Sequence, residues 1–158
     1  MKRLAVTAVC LLAVACATPQ PGTSRTSSTP GHGAISLSVT PNPIVAHNVS
    51  GSTYDFPFDV SVRETAGHPV TINSVSTTVY APGGIRVGGE SYDAAKIRSL
   101  GYSTSVPPGG ELRYHFAPRK SVTDDRVFGS IYAEVSVEGT DETGAATSAK
   151  TTVTVAKG

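Results

Sequence analysis

The chain has 158 residues, enough for one domain of ordinary size with short additions, and it contains 16 Gly, 11 Pro and no Trp. The chain has thirteen basic and twelve acidic residues, and beyond Lys2-Arg3 the only adjacent basic pair is Arg119-Lys120. Charge that is balanced and scattered in this way has no long-range field for collecting polyanions, so we expect no nucleic-acid partner.

The two cysteines, Cys10 and Cys16, both lie within the first sixteen residues. The remainder of the chain therefore has no disulfide, no thiol nucleophile and no cysteine-based metal site. We expect the folded part to be held together by apolar packing and backbone hydrogen bonds, with no metal and no cofactor.

The first fifteen residues have the pattern of a secretory signal. The positive segment Met1-Lys2-Arg3 precedes eleven uncharged, mostly apolar residues from Leu4 to Val14. Eleven helical residues span about 16 Å, which is roughly half of the hydrocarbon core of a bilayer. The pattern therefore predicts a signal peptide over residues 1–15 rather than a permanent membrane helix.

The signal ends in Ala13-Val14-Ala15-Cys16, which resembles the lipobox of bacterial lipoproteins. The resemblance implies cleavage before Cys16, a diacylglyceryl group on its sulfur and acylation of the new amine by a chain such as palmitate. Ala17 follows, rather than the Asp that retains many such proteins at an inner membrane. The resemblance therefore implies a cell-envelope location, at the outer membrane if the cell has two membranes. Cleavage by ordinary signal peptidase is the alternative, because Ala13 and Ala15 also suit that enzyme.

Residues 17–33 contain no aliphatic side chain larger than Ala and are rich in Ser, Thr, Pro and Gly. Such a segment cannot offset the entropy of becoming ordered, so the composition predicts a disordered tether with a solvated His32. We expect the lipidated N-terminus and tether over residues 16–33 to be followed by one folded domain over 34–158.

From residue 34 onward, apolar residues recur with the two-residue period of half-buried strands. The phase changes near Asn73-Ser74, where we expect a β-bulge. Pro57 interrupts the strongest run, which predicts a bulge or an edge position there. The predicted strands cover residues 35–39, 54–62, 70–79, 112–116, 131–137 and 149–155.

The long segment 81–110 contains little alternation. Residues 91–100 have the only helical pattern in the domain, with Ser91 or Asp93 as N-cap. The segment is either an irregular edge strand with a crossover, or a long loop with a binding role. In the second case, the candidate partner-binding residues are Tyr92, Ile97, Arg98 and Tyr102, because tyrosine is enriched at interfaces.

The C-terminal residues, Val135 to Gly144 followed by Ser148 to Val155, resemble the last hairpin of bacterial immunoglobulin-like and fibronectin type III-like domains. In the turn, Asp141 can accept backbone N–H groups and Gly144 supplies a positive φ. The resemblance, together with the strand pattern, predicts an all-β fold. Its expected form is an antiparallel immunoglobulin-like β-sandwich of about seven strands.

The domain has no motif typical of catalysis. There is no Gly-x-Ser-x-Gly, and His47, His68 and His115 lack the spacing of metal ligands. The acidic pairs Asp124-Asp125 and Asp141-Glu142 lack the calcium-loop pattern. We therefore expect no enzyme, although a deep pocket lined by several carboxylates or histidines would favour one.

The leading hypothesis is a non-catalytic, lipid-anchored cell-envelope module. It would attach to the membrane through its N-terminal acyl chains and present a β-sandwich to an envelope protein or a glycan. An architectural or accessory lipoprotein without a tight ligand is the alternative, and an enzyme of unknown type is the third hypothesis.

Replacing the predicted acylation site tests the anchor. Cys16→Ser removes the only thiol that the lipobox places at the cleavage site, so the exported protein is expected to leave the membrane fraction for the soluble fraction. Cys10→Ser is the matched control, because Cys10 lies inside the discarded signal and its replacement leaves the anchor intact. Continued sedimentation of the Cys16→Ser protein with membranes would contradict the lipid anchor.

Overall fold

The computed structural model describes Gly22 and residues 24–158, so the predicted signal peptide and Cys16 lie outside the described residues. This part of the chain is all-β, with twelve strands, one short α-helix and one 3-10 turn. None of its helices is long and apolar enough to cross a membrane.

The strands follow one another along the chain with short connections. The helix α1 (Ala94–Ser99) lies between the seventh and eighth strands, and the 3-10 turn (Asp125–Val127) lies between the tenth and eleventh. The strands are β1 (Arg25–Ser28), β2 (Ile35–Thr40), β3 (Ile44–Ser50), β4 (Thr53–Asp55), β5 (Phe58–Glu64), β6 (Val70–Ala81), β7 (Ile85–Asp93), β8 (Ser105–Val106), β9 (Glu111–Phe116), β10 (Arg119–Ser121), β11 (Tyr132–Asp141) and β12 (Ala146–Lys157).

The strands form a large curled sheet and a small sheet. The large sheet has the order β10-β4-β3-β12-β11-β6-β7, with β1 added to β12 and β8 added to β6, and the small sheet has the order β2-β5-β9. The β3–β12 pair is parallel, so the large sheet is mixed. An ion pair between Lys120 of β10 and Glu90 of β7 joins the two ends of the strand order, which shows how strongly the sheet curls.

Both sheets bury one face in a common core, as the two-residue period predicts. Val60 and Val62 of β5 lie in the same core cluster as Val135 and Val137 of β11, and all four are inaccessible to solvent. Complete burial of an aliphatic side chain contributes about 1.5–3 kcal/mol to folding. In the absence of a disulfide, this shared apolar core holds the two sheets together.

The predicted run over residues 54–62 is divided between the two sheets. Pro57 has no N–H for a ladder bond, and at this point the chain leaves β4 in the large sheet and enters β5 in the small sheet. β5 is the central strand of its sheet, so the expectation of a bulged or edge strand was wrong. The bulge near Asn73 is confirmed, because Ser74 pairs with Glu138 and Ile72 with Gly139, which leaves Asn73 without a partner.

Segment 81–110 forms an edge strand and a crossover. β7 pairs with β6 over its length, with a bulge that leaves Val87 without a partner. Asp93 caps α1 as predicted, because its side chain accepts a hydrogen bond from the N–H of Lys96 at 2.7 Å. Of the two interpretations of this segment, the edge strand with a crossover describes its backbone.

The turn between β11 and β12 is built around Asp141, as predicted. Its Oδ1 accepts the N–H groups of Thr143 and Ala145, each at 2.9 Å, and Gly144 has a φ of 86°. The Thr143 hydroxyl donates a further hydrogen bond to the buried carboxylate, and this bond, with the backbone donors, holds the pKa of Asp141 well below its usual range.

Part of the predicted tether is ordered against the domain. Residues 24–33, here called the strap, include β1, whose Arg25 pairs with Lys150 and whose Ser28 pairs with Thr147 of β12. His32 lies 3.1 Å from Asp141, and the N–H of Gly33 donates to the same carboxylate. The prediction of disorder therefore differs from the structure over the strap, while residues 17–21 and Thr23 lie outside the described residues.

The strap is ordered because it needs no aliphatic side chains to bind. Its backbone completes the ladder at an open edge of β12, and its hydroxyls satisfy the edge of β2: Thr26 donates to the carbonyl of Ile35, and Ser24 accepts the N–H of Leu37. The strap thus joins the two sheets. Composition alone does not reveal this, because the gain lies in backbone groups that every sequence carries.

We expect the carboxylate of Asp141 to hold the strap against the domain. Asp141→Asn leaves a single oxygen, which can keep the turn but not also accept from Gly33 and face His32. We expect trypsin to cleave the folded Asp141→Asn variant after Arg25 several-fold faster than it cleaves the unchanged protein. The cleavage products are followed by mass spectrometry. Glu142→Gln, at the exposed neighbouring position, is the control, and equal rates in the two variants would contradict this role of Asp141.

Candidate binding cleft

An open cleft of about 280 Å³ lies where the small sheet meets β3. Its floor is apolar and includes Pro41, Val45 and Pro57, and its polar rim carries two histidines and a carboxylate. The complete lining consists of Thr40, Pro41, Val45, His47, Pro57, Phe58, Asp59 and His115.

Prolines at the strand ends form this cleft. Pro41 follows the last residue of β2 and Pro43 precedes β3, each after a cis peptide bond, and Pro57 precedes β5. Asn42, between the first two prolines, accepts the backbone N–H of Thr154 through its side-chain oxygen at 3.1 Å. The β2–β3 connection is therefore fixed to β12, which gives the cleft a rigid wall.

The rim contains a hydrogen-bonded pair of His115 and Asp59. The two residues face each other in register on β9 and β5, and Nδ1 of His115 lies 2.8 Å from Oδ1 of Asp59. When Nδ1 donates this bond, Nε2 remains as an acceptor for a ligand. The His115 side chain is 60% exposed, so the pair stabilises the fold by less than about 1 kcal/mol.

The strand order places three polar residues of the cleft in one row. Thr40, Asp59 and His115 lie in one row on β2, β5 and β9, with the carboxylate in the middle. His115 is thus two strand spacings, about 10 Å, from the only hydroxyl of the cleft lining. The row therefore keeps the Thr40 hydroxyl and the His115 imidazole out of direct hydrogen-bond reach of each other.

The titratable side chains of the cleft do not converge on one point. Within residues 24–158, no group of three or more His, Cys, Asp or Glu side chains is placed to hold a metal ion. His47 pairs in register with Asp55, whose pKa is lowered mainly by a hydrogen bond from Arg119. The rim therefore offers hydrogen-bonding groups to a ligand from two sides, with His47 on one side and the His115–Asp59 pair on the other.

The predicted partner residues of segment 81–110 do not form one surface. Tyr92 stacks on Phe116 with ring centroids 4.3 Å apart, and burial raises its pKa. Ile97 is fully buried in the core, because α1 packs its only apolar face against the sheets. Ile97 is therefore a core residue and not a surface contact, which corrects the prediction for that side chain.

Tyr102 and Arg98 have different surroundings. The Tyr102 hydroxyl accepts the N–H of His115 and donates to its carbonyl, each at 3.2 Å, so it covers backbone groups at the edge of β9. Arg98 is exposed on α1. The predicted lipidation site, Cys16, lies outside the described residues.

Sequence reasoning missed the cleft although its signals were present. The two-residue period places Asp59 and His115 on the polar faces of their strands, but the pairing of β9 with β5 is a long-range contact without a local pattern. The cluster Pro41-Asn42-Pro43 and the isolated Pro57 lie at strand ends in the structure. Only the fold shows that these strand ends meet.

The fold has relatives among solved structures. It is similar to the X-ray structure of the Northeast Structural Genomics Consortium target SoR45, with a TM-score of 0.56 over 80% of this chain and 88% of that chain at 10% identity. It is also similar to the crystal structure of the Bordetella pertussis protein designated ApaA, with a TM-score of 0.53 over 77% of this chain and 93% of that chain at 15% identity. Identities this low show a shared fold alone.

Sequence comparison adds no family. No protein-family profile matches the chain, and no curated protein is similar to it.

A second carboxylate, Glu64, is buried away from the cleft at the end of β5. It accepts the N–H groups of Ala66 and Gly67 from its own loop and that of Gly109 from the β8–β9 turn, at 2.7–2.9 Å. Burial alone would raise the pKa of Glu64, but these backbone donors outweigh it and lower the pKa from 4.5 to about 2. The carboxylate is therefore fully occupied in joining two loops.

Because Glu64 is charged when it holds the two loops, we expect the free energy of unfolding to depend on pH. Glu64→Gln replaces two acceptor oxygens by one and removes the charge, so the free energy of unfolding at pH 7 is expected to fall by about 2–3 kcal/mol in urea titrations. Because the folded pKa is lower than the unfolded one, this stabilisation is present above pH 4.5 and is lost as the pH falls towards about 2.

The difference in the free energy of unfolding between the unchanged protein and Glu64→Gln should therefore shrink as the pH falls from 4.5 to about 2. Glu142→Gln, at an exposed carboxylate, serves as the control and should change little. A difference that stays constant down to pH 2 would show that the charge of Glu64 is not the source of the stabilisation.

Proposed function

We propose that this protein is a non-catalytic, lipid-anchored module of the cell envelope, attached to the outer membrane through Cys16, that holds an extended protein segment in its cleft. The membrane attachment is supported by the lipobox resemblance and by the absence of any other cysteine outside the signal sequence. The binding role is supported by the geometry of the cleft.

The observation that carries the proposal is the combination of an apolar floor with an open polar rim. Pro41, Val45 and Pro57 offer apolar surface, while Nε2 of His115 and the edge of Asp59 offer hydrogen-bonding groups to a backbone. The two buried carboxylates, Glu64 and Asp141, are each occupied by several hydrogen-bond donors of the domain itself. These features support binding without a chemical step.

A protein segment fits this cleft better than a glycan does. Sugar rings bind by stacking on exposed aromatic faces, and the phenyl ring of the lining, Phe58, is 3% exposed. An extended peptide requires an apolar pocket for a side chain and polar groups for its backbone, and the cleft offers both.

The proposal includes an immunoglobulin-like arrangement of the two sheets. It is supported by the opposed apolar faces of the β2-β5-β9 sheet and the β11–β12 hairpin, and by the Asp141 turn that the resemblance implies. The curled, mixed large sheet is an elaboration on this arrangement.

Site-directed photo-crosslinking in the native host tests the binding role. Benzoylphenylalanine at Val45, in the cleft floor, is expected to give a discrete protein adduct in the full-length lipidated protein. The same probe at Ser99, exposed on α1, is the control and should not give that adduct.

The adduct should depend on the polar rim of the cleft. His115→Ala, combined with the probe at Val45, is expected to remove it, because the variant loses the acceptor while leaving the core unchanged. An adduct that persists at equal yield in the His115→Ala protein, or no adduct at all, would contradict the role of the cleft.

A further inference from the structure

Large apolar side chains that are exposed in this domain cluster at hairpin tips. Of the four such residues in the described part of the chain, Ile85 is 65% exposed, Val87 58% and Val49 46%. Ile85 and Val87 follow the turn from β6 to β7, and Val49 lies at the turn from β3 to β4. Contacts within the domain do not explain why these positions are aliphatic.

The two tips lie at the same end of the large sheet. β3 runs parallel to β12, so its last residues extend beyond the C-terminal end of β12. β11 is antiparallel to both β12 and β6, so β6 also runs in the direction of β12 and turns at that end. The Lys120–Glu90 ion pair shows that the sheet curls and brings its two outer strands together. We call residues 49–52 and 81–87 the tip rim.

The strap leads from the anchor to this rim. Arg25 pairs with Lys150, and the N–H of Gly22 donates to the carbonyl of Thr152 at 2.8 Å. Followed towards its N-terminus, the chain therefore runs along β12 in the direction of the tip rim. An anchor at Cys16 lies six residues before Gly22, and six residues reach about 20 Å at most, whatever their conformation.

This reach matches the position of the tips. Four strand spacings separate β1 from β7, which is about 19 Å along the sheet surface. The curl of the sheet makes the straight-line distance shorter. A lipid-anchored Cys16 therefore allows the tip rim to reach the bilayer surface, while α1 and the Asp141 turn lie at the opposite end of the domain.

The side chains next to the tips suit a membrane interface. Tyr80, one residue before the tip rim begins at residue 81, stacks on Tyr132 of β11 with ring centroids 5.2 Å apart. Tyrosine is enriched at the level of lipid head groups, where one end of the ring is apolar and the other wet. Arg86, between the two aliphatic residues, is in none of the ion pairs formed by described residues.

We propose that the tip rim rests on the lipid bilayer, with Val49, Ile85 and Val87 inserted among the head groups, so that the domain is held in one orientation and not only tethered. The proposal rests on the proposed anchor at Cys16. It commits to lipid as the occupant because the anchor and the exposed aliphatic residues share one end of the domain. The fourth exposed residue, Leu100, lies beside α1 at the other end.

Fluorescence from single labelled sites tests the orientation. The mature lipidated protein has no other free thiol, so Ile85→Cys and Val49→Cys can each carry one nitrobenzoxadiazole label. Glu142→Cys, in the β11–β12 turn at the opposite end, is the matched control. Each protein is reconstituted in vesicles of phosphatidylethanolamine and phosphatidylglycerol, with or without a lipid that carries a nitroxide at head-group depth.

The labels at positions 85 and 49 are expected to emit at shorter wavelength than the label at 142 and to lose intensity when the nitroxide lipid is present. The label at 142 should instead be quenched by iodide in the buffer. If the protein sediments with vesicles but iodide quenches all three labels equally, the orientation is wrong and the anchor stands.

Two further outcomes are decisive. A label at 85 that is protected from both iodide and nitroxide lipid would show that protein covers the tip rim, which overturns the assignment to lipid. Failure of all three proteins to sediment with vesicles would overturn the anchor, and with it the proposed function and the orientation.

Discussion

The fold depends on the backbone ladder of β12. One side of this strand pairs with β11 over nine residues, and the other side is completed first by β1 and then by β3. In a domain without disulfides, these bonds connect the strap, the β2–β3 wall of the cleft and the core. Asp141 and Asn42 extend the same connection through side chains, since each accepts backbone N–H groups from a segment far away in the sequence. The cleft and the strap are thus positioned by one strand.

The strands whose side chains alternate were predictable, and those that depend on pairing were not. The period of two located β2, β6, β9, β11 and β12, and the phase change located the bulge at Asn73. Asp93 and Asp141 were recognisable because each acts on residues within four positions of itself. β1 and β10 escaped recognition because their side chains are exposed throughout. Their order comes from backbone groups and from partners distant in the sequence.

The cleft was not predictable for a related reason. Its lining comes from β2, β3, β5 and β9, and the row of Thr40, Asp59 and His115 exists only because β5 lies between the other two strands. Pro57 was read as a defect in a strand, whereas it marks the point where the chain changes sheets. A proline between two good strand patterns is therefore better interpreted as a boundary between sheets than as a fault in one of them.

Under the proposed export and anchoring, the strap also has a consequence for the order of events. Its ladder partners, from Thr147 to Lys150, and its contact with Asp141 are more than a hundred residues further along the chain. A protein that crosses a membrane from its N-terminus exposes the strap long before these partners arrive, and contacts so distant form late. Under the proposed anchoring, the segment after Cys16 therefore stays accessible while acylation takes place. When β12 forms, β1 pairs with it and the strap becomes ordered. Under the proposed anchoring, acylation therefore takes place before folding is complete, and no further factor is needed to set this order.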